Sequence, residues 1–112
     1  MGKISSPAGA TDTAEIEACR QLAETWAPVL RALGNAERLL IVLWLANSEC
    51  SVRELERVTG MKQSLVSYHL RELRSTGLVS ASPSGRTNRY RLAESELDKV
   101  ATLIGTLSPN ES

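Results

Sequence analysis

The sequence predicts a mainly α-helical domain of about five helices with one small two-stranded antiparallel β-hairpin. Three observations predict it. Apolar residues recur at steps of three and four through most of the chain. One stretch, residues 78–92, instead alternates with a period of two and is interrupted by Pro83-Ser84-Gly85. Phe is absent and only two Trp and two Tyr occur, so the core must be built from Leu, Val, Ile and Ala, which suits packed helices. A chain of 112 residues has room for one domain whose core needs no staple. Two Cys make no disulfide framework. No apolar run approaches the ~20 residues of a bilayer crossing. The N-terminal MGKISSPAGA lacks the apolar stretch of a secretory signal, so the expected location is the cytoplasm.

Residues 1–11 are rich in Gly, Ser, Ala and Pro and read as a flexible N-terminal tail. The folded domain is expected over 12–108, with 109–112 frayed. The first helix starts near Asp12, which has capping-box spacing to Glu15. Its apolar stripe is Ile16, Cys19, Leu22, Ala23 and Trp26, and Pro28 either kinks it or opens a second short helix. Asn35 is an N-cap for a helix over about 36–47. The run LLIVLWLA at 39–46 is apolar nearly all round, which predicts burial on most sides. Ser51 and Glu54 form a second capping box, opening a short helix that ends at Gly60, a residue free to take positive φ. Another helix over about 62–76 turns Leu65, Val66, Leu70 and Leu73 inward and stops at Gly77. Strands at 78–82 and 86–92 follow. A last helix over about 94–107 carries Leu97, Val100, Ala101, Ile104 and Leu107 on one stripe.

The formal net charge is zero, but it is unevenly spread. Residues 53–91 hold eight basic and three acidic side chains, a local excess of +5, balanced by −5 elsewhere. A polyanion senses the field within a Debye length of ~8 Å, so the excess is what a phosphate backbone would meet.

That basic region contains two short helices joined by a tight turn around Gly60, the dimensions of a helix-turn-helix. With Val66, Leu70 and Leu73 inward, Lys62, Gln63, Ser64, Ser67, Tyr68 and Arg71 face outward. Gln pairs bidentately with adenine, Ser donates to or accepts from base edges or phosphates, and Arg suits guanine or phosphate. Arg86, Asn88 and Arg89 near the hairpin tip would reach a neighbouring backbone or minor groove. No nucleophile–base pair and no Gly-rich phosphate loop appears, so an enzyme is not expected, nor a cofactor.

Three segments, ALGNAERLLIVLWL (32–45), SVRELERVTGMKQSLVSYHLRELRSTGLV (51–79) and GRTNRYRL (85–92), together resemble the ArsR/SmtB group of bacterial winged-helix repressors. The resemblance covers about residues 13–107. It implies a winged helix-turn-helix homodimer that binds double-stranded DNA at a palindromic operator and is released by a signal, without a membrane. The recognition helix would be 62–76, in the major groove, and the wing 82–90, on the flanking backbone. His69 would belong to the recognition helix, either bonding a phosphate or tying that helix to its neighbour. Helices bearing Ile16, Cys19, Leu22, Ala23, Trp26 and Leu97, Val100, Ile104 would form the dimerisation pair. Their apolar stripes at opposite ends of a small chain favour dimerisation independently.

The chain departs from the resemblance in its sensing residues. Many similar proteins bind a thiophilic metal through Cys-Val-Cys at the start of the first motif helix, and here that element reads Ser51-Val52-Arg53. The last helix has no His or Cys, so no metal site is expected. Tyr68 stands where the group often carries Arg, which unsettles any transfer of base preference. Two alternatives remain. Cys19 and Cys50 could form a thiol sensor of oxidant, sulfide or arsenical, Cys50 lying before a helix N-terminus that favours thiolate. Alternatively, the chain is a winged-helix protein-interaction module. The inducer is not written in the sequence.

Overall fold

The computed structural model describes residues 13–107. The predicted tail 1–11, the Asp12 cap and the C-terminal 109–112 lie outside the described residues. Helix α1 (Thr13–Leu33) is continuous through Pro28, with neither a second helix nor a break. Pro28 and Glu24, whose carbonyl loses its helical partner there, are both exposed, so water can satisfy the orphaned oxygen. Helix α2 (Ala36–Leu45) starts where the Asn35 side chain accepts from the Arg38 N–H at 3.0 Å.

Helix α3 (Val52–Thr59) opens on the predicted capping box. Glu54 N–H donates to Ser51 Oγ at 3.2 Å, and Ser51 N–H donates to Glu54 Oε1 at 2.8 Å. It ends at Gly60, whose φ of 76° lies in the left-handed region that a side chain resists. Helix α4 (Gln63–Ser75) follows α3 after three residues, Gly60, Met61 and Lys62. Strands β1 (Val79–Ser84) and β2 (Thr87–Leu92) pair antiparallel from Val79–Leu92 to Ser84–Thr87. Their turn is therefore Gly85-Arg86, later than the predicted Pro83-Ser84-Gly85. Gly85 takes φ 62° at the first central position, which matches strand twist, and Pro83 sits opposite Asn88 on an edge strand that tolerates it. The other edge of β2 is covered by Cys50, which exchanges both backbone bonds with Tyr90 (3.0 and 2.8 Å). Helix α5 spans Glu94–Leu107.

The core lies between α2, α3, α4 and the base of the hairpin. Ile41, Leu55, Val66, Leu70, Leu73 and Leu78 are fully buried there, joined by Val29 and Ala32 from α1 and Val100 from α5. Two expectations are corrected. Helix α2 buries only Ile41, Val42 and Leu45; Leu39, Leu40, Leu43 and Trp44 form an exposed apolar face, Leu43 at 58%. A ten-residue helix on one side of a small core has only one side to bury. Val100, expected on a dimer surface, is buried in the protomer's own core, and Leu97 and Trp26 pack partly against it.

Candidate nucleic-acid interface

Helices α3 and α4 pack on each other around Leu55, Val66 and Leu70, and this packing sets which side of α4 is free. Lys62, Gln63, Ser64, Tyr68 and Arg71 are exposed, and Ser67 is half-buried. No acidic residue lies in the first turn of α4, and Lys62 at its N-cap makes no side-chain cap bond. The partial positive charge of that helix end is therefore undiminished. The Arg71 guanidinium lies 6.0 Å from the centroid of the Tyr68 ring, so two of the outward groups are held beside each other.

His69 does not share that face. It is 3% exposed and is the one buried polar side chain of the described core. Its Nε2 lies 2.9 Å from Glu37 Oε1 and its Nδ1 3.4 Å from Arg38 Nη1. The periodicity explains this, since 66, 69, 70 and 73 form one inward stripe at helical spacing. Of the two roles the resemblance allowed, the structure places the ring in the tie to a neighbouring helix and away from phosphate.

The hairpin also divides its cations. Arg86 in the turn and Asn88 beside it are exposed, and Arg86 is in no ion pair among the described residues. Arg89, expected at the tip, instead donates to Glu54 Oε1 at 3.0 Å and to the Glu49 carbonyl at 2.9 Å. Arg91 lies 3.8 Å from Glu49 Oε2. The cause is register. Tyr90 and Leu92 pack on the core, and because Cys50 pairs with Tyr90, Glu49 and Ser51 flank the alternate residues Arg91 and Arg89. Arg89 thus clasps the wing to the start of α3. The Ser51 N–H, and after it the Arg89 guanidinium, hold the Glu54 carboxyl below its ordinary 4.5, against partial desolvation.

Cys50 is buried and its Sγ faces the Ser48 carbonyl at 3.6 Å. Desolvation pushes its thiol above the ordinary value, only partly offset by that contact. The expected thiolate is therefore disfavoured: proximity to a helix start is outweighed by burial. Cys19 is half-buried on α1. At the position of the Cys-Val-Cys element, Ser51 Oγ is engaged in the helix cap. Among the described residues no three His, Cys, Asp or Glu side chains gather as a metal cluster. No described helix is long and apolar enough to cross a membrane.

The proposed dimer residues fall on α1 and α5. Ile16, Ala23 and Ile104 are exposed; Cys19, Leu22, Trp26 and Leu97 are half-buried. A mainly apolar cleft of about 380 Å³ lies between the two helices, lined in part by Leu22, Trp26, Thr102 and Leu103. Sequence reasoning missed three groups: the Glu37–Arg38 pair that meets His69, the Glu49–Glu54 anchor of the wing, and the apolar face of α2. Only the last had a local signal, an apolar run too complete for one core-facing stripe.

The profile of the bacterial regulatory proteins of the arsR family matches residues 35–81. The chain is 40% identical over 81 residues to the HTH-type transcriptional repressor SmtB of Mycobacterium tuberculosis, an alignment that covers 72% of this chain and 60% of that protein's length. It is 32% identical over 101 residues to the HTH-type transcriptional regulator YgaV of Escherichia coli, covering 88% of this chain and 99% of YgaV. The homodimeric winged helix-turn-helix DNA-binding domain of Mb0332 from Mycobacterium bovis matches with a TM-score of 0.66 and 33% identity, covering 89% of this chain and 88% of that one. Helices α3 and α4, the hairpin after them and the agreement of sequence over most of the chain have one source: the protein belongs to the ArsR family of bacterial transcriptional regulators and carries its winged helix-turn-helix fold.

Proposed function

We propose that the protein is a homodimeric, sequence-specific DNA-binding repressor. Helix α4 enters the major groove and the wing tip lies on the flanking backbone of a palindromic operator. The observation that carries this reading is the division of α4. Val66, His69, Leu70 and Leu73 are buried, while Lys62, Gln63, Ser64, Tyr68 and Arg71 form an exposed polar face at an uncapped helix start. Gln63 and Ser64 stand in the first turn, where a recognition helix meets base edges. Arg86 and Asn88 at the tip serve the backbone.

Dimerisation is supported by apolar surface that a single protomer leaves uncovered. Ile16, Leu39, Leu40, Leu43, Trp44, Ile104 and Leu107 are exposed on α1, α2 and α5. The solved relative from Mycobacterium bovis is homodimeric. A twofold axis would set two α4 helices roughly one DNA turn, ~34 Å, apart. Regulation by a thiophilic metal at α3 is disfavoured by Ser51 and Arg53 in the ligand positions, and a thiolate at Cys50 by its burial.

The test is fluorescence anisotropy with duplex DNA across a salt series. Lys62, Arg71 and Arg86 in each protomer amount to about six phosphate contacts per dimer, so log K should fall against log salt with a slope of about −5. Absence of binding to random duplex even at low salt overturns the reading in favour of a protein-interaction module. Binding without preference for any palindrome recovered by selection removes the sequence-specific part.

A further inference from the structure

Arg38 is oddly placed for a cation. It lies in the first turn of α2, where the helix dipole disfavours positive charge. Its contacts explain the position. Nε donates to the Ala32 carbonyl at 2.7 Å, one of the carbonyls left without a partner at the end of α1. Nη1 of the same guanidinium reaches His69 Nδ1 at 3.4 Å in the middle of α4. A guanidinium only donates, so Nδ1 must accept and Nε2 carries the proton. That proton is donated to Glu37 Oε1 at 2.9 Å. Glu37 and Arg38 thus grip both nitrogens of one buried ring. The Tyr68 side chain of the outward face lies 5.3 Å from the same ring, centroid to centroid, and Arg71 lies over Tyr68.

We propose that Glu37, Arg38 and His69 form a positioning tie that fixes the orientation of the reading helix α4 relative to α1, and so sets the geometry with which a dimer presents its two reading faces. The inference rests on the proposed DNA reading for its consequence but not for its geometry. A dimer joined through α1 holds its α4 helices at one spacing only if each α4 is fixed against its own α1. The guanidinium of Arg38 touches both helices, and Glu37 locks the ring it touches. None of the three is a base-contacting residue; they act through Tyr68, Arg71 and the rest of the α4 face.

The experiment uses Glu37→Ala and Glu37→Gln in the full chain. Glu37 is half-exposed, and neither change opens the core. The amide oxygen of Gln can still accept from Nε2, so Glu37→Gln should behave as wild type and Glu37→Ala should not. Backbone residual dipolar couplings, measured without DNA, should fit α1 and α4 to one alignment frame in wild type and Glu37→Gln. In Glu37→Ala the α4 couplings should depart from that frame. A shared frame in Glu37→Ala overturns the tie, whatever the protein does with DNA. With a palindromic duplex selected on the wild type, Glu37→Ala should lose about tenfold in affinity while a scrambled duplex is bound within twofold of wild type. Equal losses on both duplexes overturn the positioning role. Failure of the wild type to bind any duplex indicts the DNA reading and leaves the couplings to decide the tie.

Discussion

Arg86→Ala and Arg89→Ala separate two arginines that the sequence treats alike. Arg86 is exposed in the wing turn without an ion-pair partner among the described residues, whereas Arg89 is bound to Glu54 at 3.0 Å and to the Glu49 carbonyl. On the proposed reading, removing Arg86 deletes one phosphate contact per protomer and two per dimer. Each contact contributes ~0.9 to the salt slope, so the slope should become shallower by about 1.8. The affinity deficit of the variant should therefore shrink about tenfold when salt rises fourfold, from ~50 to ~200 mM, and it should be the same for every duplex. Arg89→Ala should leave the slope within about 0.5 of wild type, because its charge is already matched within the protein. Its effect should be a lower melting temperature and faster amide exchange at Cys50 and Tyr90, where the wing meets the segment before α3. Anisotropy titrations at four salt concentrations read the slopes. A slope reduced by Arg89→Ala as much as by Arg86→Ala would refute the assignment of the clasp.

Four further outcomes are expected. Gln63→Ala should relax discrimination at one base pair of a selected site by ~1–3 kcal/mol while leaving the salt slope unchanged; equal loss on all sequences would move Gln63 to the backbone. Leu55→Ala, which empties a fully buried position between α3 and α4, should cost ~2–5 kcal/mol in denaturant unfolding, and a loss under ~1 kcal/mol would show that Leu55 is not central to the core. Cys50 should alkylate at least about a hundredfold more slowly in the folded protein than in denaturant, because opening must precede reaction; labelling within tenfold of the denatured rate would restore it as a sensor candidate. The Glu54 carboxyl is held below 4.5, so the clasp contributes its full stability above that value and loses it as pH falls through the lower folded value. The Ser51 amide shift should follow this titration with a midpoint below 4.5, and a midpoint at or above it would show that the carboxyl is not bound as described.

What was legible in the sequence is what local chemistry dictates. The Ser51–Glu54 capping box and the positive φ of Gly60 follow from residues within about one turn of each other, and α5 from a periodic apolar stripe along one segment. The inward stripe of α4 is legible for Val66, Leu70 and Leu73, but His69 occupies the same stripe, and the sequence leaves its role open between a phosphate bond and a tie to a neighbouring helix. Its polarity is compatible with burial only because Glu37 and Arg38, more than thirty residues away, satisfy both nitrogens. The exposed face of α2 was misjudged for the complementary reason. An apolar residue has no partner to name, and the run 39–46 does not say whether its second face meets the same protomer or another.

The same separation of local from long-range pairing changes the electrostatic argument for DNA binding. The local excess of +5 in residues 53–91 suggests an interface dominated by charge. Glu49 lies outside that window in sequence, yet the Cys50–Tyr90 pairing sets it beside Arg89 and Arg91, and Glu54 takes Arg89 directly. Arg89 is thereby engaged in holding the wing, and Arg91, which stays exposed, is paired more loosely with Glu49 at 3.8 Å. The other six of the eight cations are exposed, and of these Lys62, Arg71 and Arg86 lie at the proposed reading face and the wing tip. A few contacts per protomer support a moderate, salt-sensitive affinity but no strong non-specific grip. On the proposed reading, discrimination then falls to the uncharged donors and acceptors of Gln63, Ser64, Ser67 and Tyr68. Such groups tolerate little error in placement, since a hydrogen bond weakens steeply with angle. A reading face that carries few charges would depend more on the rigidity of α4, and the proposed grip on His69 would then bear on specificity as well as on stability.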